Sequence, residues 1–98
     1  MYIVRDIFNL KYGHFRPVKA MLEESFKSGM MPQGKNTRVV SDFTGDAYRL
    51  IIEIGYESLS EFEKELSRDM GKPEWAEWYK KFIEHVNSGH REILKVIM

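Results

Sequence analysis

Apolar and polar residues alternate with two different periods along this chain, and the switch between them predicts the elements. Tyr2 to Leu10 is β-rich and apolar and runs into the turn signal Lys11-Tyr12-Gly13, which predicts strand 1. The period then lengthens. Val18, Leu22 and Phe26 recur every fourth residue behind Pro17, which a helix accepts in its first turn, and Gly29 is a natural stop. Met30 to Asn36 contains a proline and a glycine and predicts a loop. Two strands are expected next, Thr37 to Thr44 and Tyr48 to Tyr56, joined by a hairpin turn at Thr44-Gly45-Asp46. A capping box at Ser58 and Glu61, with Ser60 and Glu63 as the rival register, opens a helix carrying Leu59, Phe62 and Leu66. Gly71 and Pro73 break that helix. Beyond the break, Trp75, Trp78, Tyr79, Phe82, Ile83 and Val86 fall on one helical face. Asn87-Ser88-Gly89 is expected to end it, with Ile93 to Met98 as strand 4.

The resulting order, β-α-β-β-α-β, predicts one α+β domain over residues 1–98. Two crossovers with a hairpin between them give a ferredoxin-like antiparallel sheet of order 4-1-3-2, with the helices on one face and the second helix broken near Gly71-Pro73.

A sheet covered on one face should alternate cleanly between apolar and polar positions. These strands do not. Strand 3 carries Leu50-Ile51-Ile52, strand 1 carries Ile3-Val4 and Ile7-Phe8, and strand 4 carries Ile93-Leu94 and Val96-Ile97-Met98. Both faces are therefore apolar, and the uncovered one calls for a second copy of the chain in an isologous homodimer. On strand 3, Tyr48, Leu50, Ile52, Ile54 and Tyr56 belong to the helix side. Arg49, Ile51 and Glu53 belong to the dimer face, which Arg5 and Lys95 are expected to share. Charges desolvated there should pair across strands, Arg5 or Arg49 with Glu53.

Charge and composition narrow the function. Fifteen basic residues balance fifteen acidic ones, so nothing draws the chain to a phosphate backbone, and no nucleic-acid partner is expected. The absence of cysteine excludes disulfides, thiolate metal sites and cysteine nucleophiles and fits a cytoplasmic protein. No apolar stretch reaches the roughly 18 residues of a membrane span. No nucleotide loop, metal-ligand pair or nucleophile motif is present. His14, His85 and His90 are isolated in sequence, so no metal and no cofactor are expected.

The stretch Pro73-Glu74-Trp75-Ala76-Glu77-Trp78-Tyr79-Lys80-Lys81-Phe82 resembles the "PEW" entry to the last helical segment of NIPSNAP-like proteins. Leu10-Lys11-Tyr12-Gly13 is similar to their first strand and its glycine turn. By pattern, the whole chain resembles the dimeric α/β-barrel superfamily, which includes antibiotic-biosynthesis monooxygenases and haem-degrading monooxygenases. The resemblance implies a pocket between the helices and the sheet. Tyr48, Trp75, Trp78 and Tyr79 are candidates for its walls. Asp6, Asn9, His14, Asp42 and His85 are polar groups expected within reach, with His85 or Asp42 as a base if there is chemistry.

Three functions follow from that resemblance. The first is binding of a small apolar or aromatic molecule, at most with cofactor-free monooxygenase-like chemistry. The second is a non-enzymatic ligand-sensing or structural dimer. The third is haem binding or degradation through Asn9, Trp75 and His85, although Trp75 falls later in the chain than the tryptophan of those haem proteins.

Overall fold

In a computed structural model, which describes residues 1–31 and 35–98, the elements follow the expected order. They are β1 (Tyr2–Leu10), α1 (Phe15–Lys27), β2 (Lys35–Ser41), β3 (Arg49–Tyr56), α2 (Leu59–Met70), α3 (Pro73–Phe82), a 3-10 turn (Ile83–His85) and β4 (Val86–Lys95). The sheet is antiparallel throughout and runs β2-β3-β1-β4, so β1 and β3 are central as their apolar content demands. Pro32 and Gly34, on which the first loop was expected, lie outside the described residues. Among the described residues, no helix is long and apolar enough to cross a membrane.

Local chemistry explains the helix ends. The Ser58 hydroxyl accepts from the Glu61 amide at 3.2 Å, and the Glu61 carboxylate accepts from the Glu57 amide, which selects the Ser58 capping register over the Ser60 one. At the break, Lys72 is extended (φ −82°, ψ 136°) ahead of Pro73, which removes a helix donor and disfavours helical geometry before it. α1 stops at Ser28, followed by Gly29 in the left-handed region (φ 73°).

The structure corrects two boundaries. The β2–β3 connection is not a tight hairpin at Thr44-Gly45-Asp46. β2 ends at Ser41, and the connection covers seven residues (42–48) up to β3 at Arg49. It is closed by Asp42, whose carboxylate accepts from the Arg49 amide at 3.3 Å and from Arg49 Nε at 2.8 Å. Tyr48 leads into β3 with a positive φ of 64° rather than as its first residue.

The second correction concerns the last helix. Val86 is not its final residue, and Asn87-Ser88-Gly89 does not end it. These residues open β4, which pairs with β1 from Leu10↔Val86 to Tyr2↔Lys95, while residues 96–98 lie beyond the strand. Ladder pairing with β1 outweighs the turn propensity of Asn, Ser and Gly. Gly89 lies directly over the Phe8 ring, and a Cβ there would come within 2.8 Å of it, so the glycine serves close packing inside a strand.

The core lies between the sheet's inner face and the helices. Val4 and Leu10 of β1, Leu50, Ile52, Ile54 and Tyr56 of β3, Val18 and Leu22 of α1, and Phe82 of α3 form one buried cluster with Met31. Strand alternation therefore puts Ile3, Arg5, Ile7 and Asn9 on the outer face, and Ile7 is buried yet lies outside that cluster. Arg5 faces Glu53 and Glu92 across the two flanking ladders. Arg5 Nε bonds Glu53 at 2.8 Å, Arg38 holds the other Glu53 oxygen, and Glu92 is a weaker partner of Arg5 at 3.5 Å. These guanidiniums, Arg38 foremost, hold the Glu53 carboxyl below its usual range. Arg49 and Ile51 share this face, but Arg49 pairs with Asp42 rather than Glu53. Lys95 does not share it. Its partner is Tyr2, on the helix side, because the β4 register gives the position beside Arg5 to Glu92.

Candidate functional site

A cavity of about 550 Å³ opens between α2, α3 and the inner face of β1, β3 and β4, within the range of ligand sites. Its roof follows from helical spacing. In α3, Trp75, Trp78, Tyr79 and Phe82 stand at i, i+3, i+4 and i+7 and project to one side. Trp75 stacks on Tyr79 at 4.7 Å and Trp78 on Phe82 at 5.0 Å, each pair nearly parallel. Only Phe82 is fully buried. Trp78 is fixed by a 3.3 Å hydrogen bond from its indole Nε1 to the Met21 carbonyl of α1. Trp75, Tyr79 and Ile83 also line the cavity, and Trp78 and Val86 both line it and pack against the core.

The floor is built by alternation along β1 and β3. Val4, Asp6 and Phe8 lie on one side of β1, and Ile52, Ile54 and Tyr56 on the matching side of β3. α2 contributes Phe62, Leu66 and Asp69, spaced by four and three residues. The walls are mostly apolar, and the charged groups Asp6, Asp69 and Arg91 gather at the α2 end.

There, Arg91 Nε binds Asp6 at 2.6 Å, and the Arg91 guanidinium lies 5.2 Å from the Phe62 ring centroid. Asp69 is buried, and its salt bridges among the described residues, from Arg68 Nε at 3.2 Å and Lys72 Nζ at 3.7 Å, end on Oδ1. Glu65 Oε2 is buried without a well-formed hydrogen bond among the described residues. Tyr56 sits between these groups. Burial, then the Glu65 carboxylate, then Asp6 and Asp69 push its hydroxyl well above the ordinary tyrosine range, so it stays a neutral donor.

Of the residues expected to line a pocket, Trp75, Trp78 and Tyr79 do so. Asp6, expected within reach, lines it too, and Asn9, His14, Asp42, Tyr48 and His85 do not. Asn9, on the outer face by alternation, bonds the Ser88 hydroxyl at 3.0 Å. Asp42 closes the β2–β3 connection. Tyr48 packs edge-on against Tyr12 at 4.9 Å. His14 and His85 meet each other, Nδ1 to Nδ1 at 2.9 Å, with one ring donating and the other accepting. His85 stands in the 3-10 turn rather than on a helix, so Asn9, Trp75 and His85 do not converge on one space. Among the described residues, no group of three or more histidines and carboxylates is arranged to hold a metal ion.

Tyr56, Asp69 and Arg91 were not among the expected site residues, and Asp6 was expected only as a polar group within reach. The signal for the acids was present. Asp6 interrupts the inward series Tyr2, Val4, Phe8, Leu10, and Asp69 extends the helical series Phe62, Leu66. A charge on a core-facing stripe needs a reason.

No family model matches the sequence, and no curated protein matches it. Solved structures do match. A NIPSNAP family protein of unknown function from Agrobacterium tumefaciens superposes with a TM-score of 0.87 at 15% identity, covering 98% of this chain and 87% of that one. A NIPSNAP domain protein from Burkholderia xenovorans gives 0.83 at 10% identity, covering 98% and 94%. A structure described as an antibiotic biosynthesis monooxygenase gives 0.75 at 10% identity over the full length of both chains. The chain thus shares its ferredoxin-like fold, end to end, with NIPSNAP family proteins and an antibiotic biosynthesis monooxygenase.

Proposed function

We propose that this protein binds a small apolar or aromatic molecule in the cavity between its helices and sheet, working as a homodimer in the cytoplasm, with monooxygenase-like chemistry at most. The observation that carries the reading is the α3 roof: three large rings, Trp75, Trp78 and Tyr79, none fully buried, line a space of ligand size. The outer sheet face supports the dimer, since Ile3, Ile7, Ile51, Val40 and Leu94 share it with the Arg5–Glu53 pair. The lack of cysteine supports the cytoplasmic address.

Neither of the two residues expected as a base is placed to serve an oxygenase. His85 and Asp42 lie outside the cavity, His85 engaged by His14 and Asp42 by Arg49. A general base has to reach the proton it removes.

Tryptophan fluorescence tests the reading directly, because both tryptophans line the cavity. Titration with 4-phenyl-1-butanol should shift the emission saturably, and the shift should disappear in Leu66→Trp, where a larger side chain fills the space. An unsaturable response, or one that Leu66→Trp leaves intact, would remove the cavity from consideration.

A further inference from the structure

We propose that the ligand is a protonated amine on an aromatic or alkyl skeleton, with the skeleton under the rings of α3 and the ammonium group at Asp69. The inference rests on the binding reading above and names the class of molecule the same cavity takes.

The charges lining the cavity set the preference. Asp6, Asp69 and Arg91 are the lining residues that carry charge at neutral pH, with His90 as the lining histidine. Asp6 and Arg91 neutralise each other at 2.6 Å. Asp69 remains. Its cations, Arg68 and Lys72, have side chains 65% and 50% exposed, both end on Oδ1, and neither lines the cavity. They hold the carboxylate from the solvent side. Among the lining residues, Asp69 is the buried carboxylate that no lining cation meets.

The surroundings reinforce this. Tyr56, which lines this end, has the Glu65, Asp6 and Asp69 carboxylates around it, and the Glu65 Oε2 is buried without a well-formed hydrogen bond among the described residues while its Oε1 meets Arg68 at 3.5 Å. An anionic ligand entering there would be repelled, and a neutral one would leave the acceptors unmatched. An ammonium group satisfies them with up to three donors. The faces of aromatic rings are also electron-rich: Arg91 already lies over Phe62, and the stacked pair Trp75 and Tyr79 favours a cation at its edge of the cavity. Aromatic faces and a carboxylate together are the recognition chemistry of ammonium ions.

Three probes with one skeleton and different head groups test this: 4-phenylbutylamine, 4-phenyl-1-butanol and 4-phenylbutyrate, titrated calorimetrically into the full-length protein at neutral pH. The amine should bind about tenfold or more tighter than the alcohol, and the carboxylate weakest. Asp69→Asn should weaken the amine far more than the alcohol and bring the two to about equal affinity. Equal binding of amine and alcohol would overturn the inference while leaving the cavity as a binding site. Binding by none of the three would overturn the binding reading with it. If Asp69→Asn does not fold, raised salt serves on the wild type: it should weaken the amine and not the alcohol, and an amine affinity that salt leaves unchanged would overturn the inference.

Discussion

Glu53 shows how one residue ties the sheet to its surroundings. It is 8% exposed, lies on the outer face, and receives Arg5 from a neighbouring strand and Arg38 from the other. A carboxylate held by two guanidiniums stays ionised to lower pH in the folded chain than in the unfolded one. The sign follows: the stabilisation is fully present above the ordinary carboxylate value of 4.5 and is lost as pH falls through the lower folded value. Glu53→Gln should therefore cost about 2 kcal/mol at neutral pH, as expected for hydrogen bonds to charged groups. It should also flatten the acid limb of stability. Urea midpoints measured at pH 7, 5 and 3 check both, and a variant that loses as much stability toward pH 3 as the wild type would show that Glu53 is not the titrating group. This pairing was readable in the strand pattern. The second partner, Arg38, was not, because its position depends on the β2 register.

At the scale of elements, the broken helical layer is the feature closest to function. α2 ends at Met70 and α3 begins at Pro73, so the roof over the cavity is a separate segment hinged at Gly71-Lys72. α3 is held to α1 through the Trp78 bond to Met21, while at the break the ties among the described residues are the 3.7 Å Lys72–Asp69 bridge and the stacking of Trp75 on Tyr79 within α3. A segment anchored to α1 and broken from α2 is suited to admit a ligand. Hydrogen exchange separates a gate from a fixed bend. Amides of residues 67–76 should exchange about tenfold faster than those of 78–82 and slow on addition of 4-phenyl-1-butanol. Uniformly slow exchange across both stretches would make the break a matter of geometry alone. Gly71 and Pro73 made the break legible in advance. The end of α3 was not, because Val86 continues the helical spacing of Phe82 and only its partner Leu10 draws it into β4.

For the whole molecule, the open question is what covers the outer sheet face. Ile51 is half-buried there, opposite Ile7, and Val40 and Leu94 remain 39% and 38% exposed. A second copy would cover these side chains and desolvate the Arg5–Glu53 pair in its middle. Light scattering after size exclusion at micromolar concentration should give twice the mass of one chain. Ile51→Glu, which would bury an unpaired charge, should give the single-chain mass or an unfolded protein. A single-chain mass for the wild type would end the dimer argument.

The sequence by itself determined the order of elements, the sheet order, the inward series of β3, the break before Pro73 and the two-sided apolar strands. All of these follow from local propensity and side-chain period, which act over a few residues. The tertiary structure alone decided which polar groups share a space. His14 and His85 are separated by most of the chain and meet, while Asn9 and Trp75, both expected at a pocket, are kept apart by the sheet. Asp6, Asp69 and Tyr56 come together because an antiparallel register sets Tyr56 at the end of β3 beneath α2, and the turn of α2 brings Asp69 round to the cavity. Register and helix phase are long-range quantities, set by the packing of the whole core, and a site assembled from three elements depends on them.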